Sequence, residues 1–146
     1  MFSLSILIEH LNHDFSVLWK QVLRLAENCG LHSCSCKYIS LTLDCPLISS
    51  EEQTRFMVGI TVPKSFDIPN GFSVYEIEAG EYAVFQFKGL YHELNRVYRY
   101  IYLDWLPTSG YTLREPYTFE TYLNTPEKTP LSELRTDIYI PIMQKN

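Results

Sequence analysis

Two short stretches of this chain could do chemistry. The first, Y-T-F-E-T-Y-L-N-T-P (residues 117 to 126), sets Glu120 among Tyr117, Phe119, Tyr122 and Leu123. A carboxylate in such a run is either solvated on one strand face or buried; a buried one needs a countercharge, or its pKa rises and it takes a proton. The plain alternative is a Glu120 that faces water or is held by Arg135 on a neighbouring strand. The second stretch, C-G-L-H-S-C-S-C, gathers Cys29, His32, Cys34 and Cys36, with Cys45 further on. It fits no paired zinc spacing, because Cys34 and Cys36 in a strand would point the same way with one residue between. These cysteines read as reduced thiols packed as small hydrophobes, and no metal or cofactor is predicted. His10, His13, His32 and His92 form no constellation, and neither a G-x-S-x-G nor a usable Cys/His pair is present.

The composition narrows the classes. Hydrophobic residues make up 46% and charged residues 20% of 146, as in one globular domain with a core of its own. No apolar run reaches the ~20 residues that span a bilayer, and the start lacks a signal peptide's basic region and cleavage site. A cytoplasmic location is therefore expected. The net charge of −5, with Lys and Arg scattered, speaks against direct nucleic-acid binding. Eleven Tyr, eight Phe and two Trp are an aromatic excess suited to pocket walls.

The elements that must position Glu120 follow from periodicity. Residues 2 to 9 predict a strand, and Phe15, Leu18, Trp19, Val22 and Leu25 recur at helical spacing after a cap at Asn12 or Asp14, with Gly30 as the stop. Residues 36 to 43 and 55 to 62 predict two strands. Pro69-Asn70-Gly71 marks a turn. V-Y-E-I-E-A and E-Y-A-V-F-Q-F-K then read as strands, residues 91 to 105 as a helix stopped by Pro107 and Gly110, and 116 to 123 and 135 to 142 as closing strands. The inward face of that helix carries Leu94, Val97, Tyr98, Ile101, Tyr102 and Trp105.

A shift of 80 residues lays the second half on the first: Gly30 on Gly110, Leu43 on Leu123, Pro46 on Pro126, Arg55 on Arg135. The expected fold is α+β, a single domain over 1–146 made of two βαββ units (1–65 and 72–146). They share an antiparallel sheet packed with two long helices and are related by a pseudo-twofold axis. A groove is expected between the halves, where ligands bind preferentially.

The stretches A-G-E-Y-A-V-F-Q-F-K-G-L-Y-H-E-L, D-W-L-P-T-S-G-Y and Y-T-F-E-T-Y-L-N-T-P-E-K-T-P-L-S-E-L-R-T-D-I-Y-I-P-I resemble the GyrI-like small-molecule-binding domain. This is the effector-binding module of AraC-type and MerR-type regulators and of stand-alone proteins. The resemblance is clear over 72–142 and holds in outline over 5–63. It departs at Gly89-Leu90-Tyr91, where the family has Gly-Pro-Tyr, and in a first strand short enough to abbreviate one edge of the sheet. No helix-turn-helix fits, so the chain is expected to be a sensor half alone.

The resemblance implies a pocket whose buried Glu, here Glu120, receives cationic, aromatic or lipophilic compounds. Thr118, Glu120 and Tyr122 share a strand face, and the 80-residue shift sets Tyr38 and Ser40 on Thr118 and Glu120. With Glu120 in the groove, Tyr122, Tyr38, Trp19, Tyr98, Tyr102 and Trp105 become its walls, and no catalytic residue is assigned. Tyr82 and Tyr139 read as sheet packing. Two alternatives use the same family: hydrolysis of cyclopropane-bearing toxins with Glu120 and Tyr122 or Tyr82, and a gyrase-interacting protective protein. A regulator or gyrase is thus the protein partner to consider beside a small cationic molecule.

Overall fold

The computed structural model describes residues 2–6, 10–11, 15–28, 37–42, 55–62, 67, 73–77, 80–115, 117–124 and 129–145. The first helix, α1, spans Phe15–Asn28. Val22 and Ala26, one turn apart, are buried, while Lys20, Arg24 and Glu27 are exposed, as the amphipathic pattern requires. The expected caps at Asn12, Asp14 and Gly30, the turn at 69–71 and the whole cysteine cluster lie outside the described residues.

Among the described residues the strands are β1 (Phe2–Ile6), β2 (His10–Leu11), β3 (Tyr38–Thr42), β4 (Arg55–Val62), β5 (Ser73–Ile77), β6 (Tyr82–Lys88), β7 (Tyr111–Leu113), β8 (Thr118–Tyr122) and β9 (Arg135–Gln144). They form one sheet in the order β5-β1-β4-β3-β8-β9-β6, with β2 added to β4 and β7 to β9. Every pairing is antiparallel. Period-two alternation gives the sheet two different faces. On one, Ile138, Ile140 and Ile142 of β9 pack under Leu94, Tyr98 and Ile101. On the other, Ile39, Leu41, Met57, Ile77, Tyr117 and Phe119 form a separate cluster.

The second helical segment begins as a 3-10 turn, Tyr91–Glu93, and continues as α2 (Leu94–Arg99). It widens into a π-helical stretch, Tyr100–Trp105, and closes with a last turn, α3 (Leu106–Thr108). Three expectations are corrected here. Pro107 does not stop the helix: the segment runs past it to Thr108, and the π-helical stretch before it already departs from the regular hydrogen-bond ladder that a proline interrupts. The stop is Gly110, whose φ of +83° is the left-handed conformation that follows many helices.

The strand at 73–77, expected among the second-half strands, pairs with β1 instead, on the far side of the sheet from β6. Turn chemistry before it marks a break in the chain but does not choose a partner strand. As a result β1 is an interior strand, flanked by β4 and β5, rather than an abbreviated edge. β7 was not anticipated. Its three residues are too few to show a period, and they are held by the tail of β9, from Ile142 to Gln144. Among the described residues no helix is long and apolar enough to cross a membrane.

Candidate functional site

β8 contributes Thr118, Glu120 and Tyr122 to the helix-covered face. Its partner β3 lies in a register that sets Thr42 opposite Thr118, Ser40 opposite Glu120 and Tyr38 opposite Tyr122. On the other side of Glu120 stands Ile138 of β9. The seam between β3 and β8 is therefore a polar stripe two residues wide, beside apolar side chains of β9. It is buried: Ser40 and Thr118 are each 2% exposed and Glu120 is 9% exposed.

Two tyrosine hydroxyls converge on the carboxylate. Tyr98, 5% exposed on α2, donates to Glu120 Oε2. Tyr122, from the same strand face, donates to Oε1 at 2.8 Å. Helical spacing brings Tyr102 one turn after Tyr98, and the two rings stack with centroids 6.4 Å apart and planes 14° apart. Tyr91, in the 3-10 turn, sets its ring edge-on to Tyr122 at 5.6 Å.

Burial pushes the Glu120 carboxyl above the ordinary carboxylate range, and the hydrogen bonds from Tyr98 and Tyr122 oppose that rise. Burial, then the charge of Glu120, holds the hydroxyls of Tyr98 and Tyr122 well above the usual tyrosine range. Tyr91 is raised by the same two causes in the same order, so its hydroxyl also feels the carboxylate. Both donors to Glu120 thus stay neutral at physiological pH. Among the described residues the carboxylate is met by hydroxyls and by no cation. Arg135, the expected alternative partner, is exposed and stands opposite Lys88.

Of the seven residues expected at the site, Glu120, Tyr122, Tyr98 and Tyr102 come together directly, and half-buried Tyr38 flanks Tyr122 by register. Trp105 is elsewhere: it packs edge-on to Phe85 at 5.0 Å and stacks on Tyr111 at 6.4 Å, closing the core over β6 and β7. The side chain of Trp19 lies outside the described residues. Tyr82 and Tyr139 pack on Phe119 in the opposite face's cluster, as expected of sheet packing.

Tyr91 was not singled out from the sequence. Its spacing from Tyr98, two helical turns, was the available signal. Among the described residues no group of three metal-ligating side chains occurs.

The model of the GyrI-like small-molecule-binding domain matches residues 7–143. The chain belongs to the GyrI-like family. Among curated relatives, this GyrI-like chain is 33% identical over 107 residues to a DNA gyrase inhibitor of Serratia proteamaculans (strain 568), covering 70% of this chain and 67% of that one. It is 30% identical over 100 residues to the "probable transcriptional regulator YgiV" of Escherichia coli (strain K12), covering 68% and 62%. The chain thus spans about two thirds of the length of these relatives.

Solved structures share the GyrI-like fold at lower identity. The C-terminal domain of EcmrR superposes with a TM-score of 0.75 at 18% identity, over 99% of this chain and 92% of that one. The same likeness covers 54% of EcmrR in its complex with DNA, at a TM-score of 0.71 and 18% identity. SAV2435 bound to tetraphenylphosphonium has a TM-score of 0.64 at 18% identity, over 98% and 90%. A hydrolase encoded by lin2189 from Listeria innocua has 0.70 at 10%, over 98% and 87%. These likenesses carry the fold.

Proposed function

We propose that this chain binds cationic, lipophilic or aromatic small molecules in a groove between two halves of the sheet, with Glu120 as the countercharge. The observation that carries this reading is a buried carboxylate held by two neutral hydroxyls, with no cation among the described residues. An arriving cation supplies the missing charge, and the rings of Tyr98, Tyr102, Tyr122 and Tyr91 each add a cation–π or stacking contribution of about 0.5–2 kcal/mol. Such a site favours delocalised cations with apolar bodies over small, strongly hydrated ions. The tetraphenylphosphonium held by SAV2435 is a cation of that kind.

Strand order supports the two-halves reading. β1-β4-β3 and β8-β9-β6 read as one order and its reverse about the β3–β8 seam, with β5 as an addition. Ser40 and Glu120, copies of each other at the 80-residue shift, are also register partners. That is what a twofold axis through this pair would produce. On this reading the residues serve sensing or sequestration of a small molecule, and direct nucleic-acid contact is left to other proteins or segments.

A titration with a fluorescent cationic dye tests the reading. Glu120→Gln should weaken binding by about ten- to a hundredfold, the worth of a charged hydrogen-bonded partner (~1.5–3 kcal/mol). Equal affinity for parent and variant would sink it.

A second reading rests on the same raised carboxyl. Raised by burial and lying beside Tyr122, it could in its protonated form protonate an opening cyclopropane ring, or ionised it could activate water. The fold of the lin2189 hydrolase is compatible with this. Incubation with such an electrophile should then yield a product heavier by one water, and an unchanged mass spectrum excludes it. The relation to a DNA gyrase inhibitor supports a third, protein-directed role, and a gyrase pull-down that recovers nothing removes it.

A further inference from the structure

We propose that the groove has a second polar anchor at Thr118 and selects amphiphilic cations carrying a neutral hydroxyl, carbonyl or amide about 7 Å from the cationic centre. The proposal rests on Glu120 being the cation's partner. Its own observation is separate. Thr118 is 2% exposed, yet its hydroxyl has no hydrogen-bond partner among the described residues. Buried hydroxyls are almost always partnered, and one that is not marks a donor and acceptor held ready for something else.

Its place in the fold says what that is. Thr118 lies two residues from Glu120 on the same strand face, a separation of about 7 Å in an antiparallel strand. Across the seam its register partner is Thr42. The helical segment runs opposite to β8, because Tyr91 meets Tyr122 and Tyr98 meets Glu120. The next turn, with Tyr102 stacked on Tyr98, therefore advances toward the Thr118 end. Along the seam a ligand would meet an aromatic end at Tyr122, Tyr38 and Tyr91, then the acid, then a hydroxyl end at Thr118 and Thr42.

Among the described residues the buried hydroxyls of Thr136 and Thr121 also lack a partner within hydrogen-bond geometry, though Thr121 lies beside the Tyr139 hydroxyl, and neither competes for this role. Thr136 belongs to β9, opposite Tyr122 and Phe87 and off the seam. Thr121 points to the opposite sheet face, between Glu120 and Tyr122 in the alternation.

The test is calorimetric titration of the full chain with two probes, benzyl-dimethyl-(ω-hydroxypentyl)ammonium and benzyl-dimethyl-hexylammonium, which differ only by hydroxyl for methyl at the far end. The Kd of the hexyl probe divided by that of the hydroxypentyl probe should fall about tenfold from parent to Thr118→Val, equivalent to ~1.4 kcal/mol of coupling. Thr118→Ser should keep the parent's ratio. A measurement on the parent alone serves if the valine variant does not fold: moving the hydroxyl to a two-carbon arm should abolish the advantage over the matching propyl probe.

An unchanged ratio in Thr118→Val, or an equal advantage for the short arm, overturns the second anchor while leaving Glu120's role intact. Failure of the parent to bind either probe overturns both.

Discussion

The two faces of β8 and β9 are both rich in tyrosine, and they treat charge in opposite ways. On the back face, Tyr82 and Tyr117 bring their hydroxyls together at 3.1 Å, and the Arg114 guanidinium lies over the Tyr82 ring at 4.9 Å. Phe119 and Tyr139 stack beside them at 4.5 Å. That face carries its own cation on its own aromatic ring. On the helix-covered face the tyrosines point at a carboxylate, and among the described residues no cation answers it. Similar residues thus build an internally balanced packing layer on one side and a buried acid without a cation partner among the described residues on the other. Aromatic content alone did not distinguish them; the sign and partner of the nearest charge does.

The difference can be broken from the back first, where the largest effect is expected. Phe119 is almost fully buried beneath Tyr82 and Tyr139, so Phe119→Ala should lower unfolding free energy by about 3–5 kcal/mol in chemical denaturation. Dye affinity of the folded fraction should change little, since the ring faces away from Glu120. A parallel collapse of dye affinity without loss of stability would mean that the two faces are not separate in function.

On the site face the sharper probe is pH. Glu120 is raised mainly by burial, so in the ligand-free protein the protonated form is favoured by folding. Its contribution to stability is present at low pH and lost as pH rises through that raised pKa. Affinity for a permanently charged dye runs the other way, falling as pH drops through the same value, above the ~4.3 of an exposed Glu. Tyr98→Phe removes a hydrogen bond that opposes the rise and should move the edge of dye binding to higher pH, with a stability change of about 1–2 kcal/mol. An edge that stays put would show that Tyr98 does not tune the acid. The smallest effect belongs to Arg114→Gln. Losing this cation–π contact at a half-buried arginine should lower stability by about 0.5–1 kcal/mol, with the dye isotherm unmoved.

Local signals account for much of the fold. The bounds of β4 coincide with the expected 55–62, and the inward positions of the second helix are the buried or half-buried ones. What could not be read was set by distant parts of the chain. β5 chose β1 as its partner across the sheet, and β7 exists only because the tail of β9 is there to hold it. Trp105 shared the helical stripe with Tyr98, but Phe85 and Tyr111, from two strands remote in sequence, claimed its ring.

Glu120 is the instructive residue of the site. Pattern alone favoured a solvated strand position, and the resemblance pointed to burial, because the helix and strand tyrosines that make burial tolerable are brought together only by the fold.

The register of β3 against β8 also limits what this site could ever have been. Ser40 faces Glu120 across neighbouring strands, where opposed side chains have Cβ atoms about 4.5–5.5 Å apart. A glutamate in both places would set two buried acids against each other, and one would have to keep its proton. The arrangement therefore has room for a single negative charge. On the proposed reading its complement is a monovalent cation lying off-centre, and a second positive charge on the ligand would find no acid opposite it on β3.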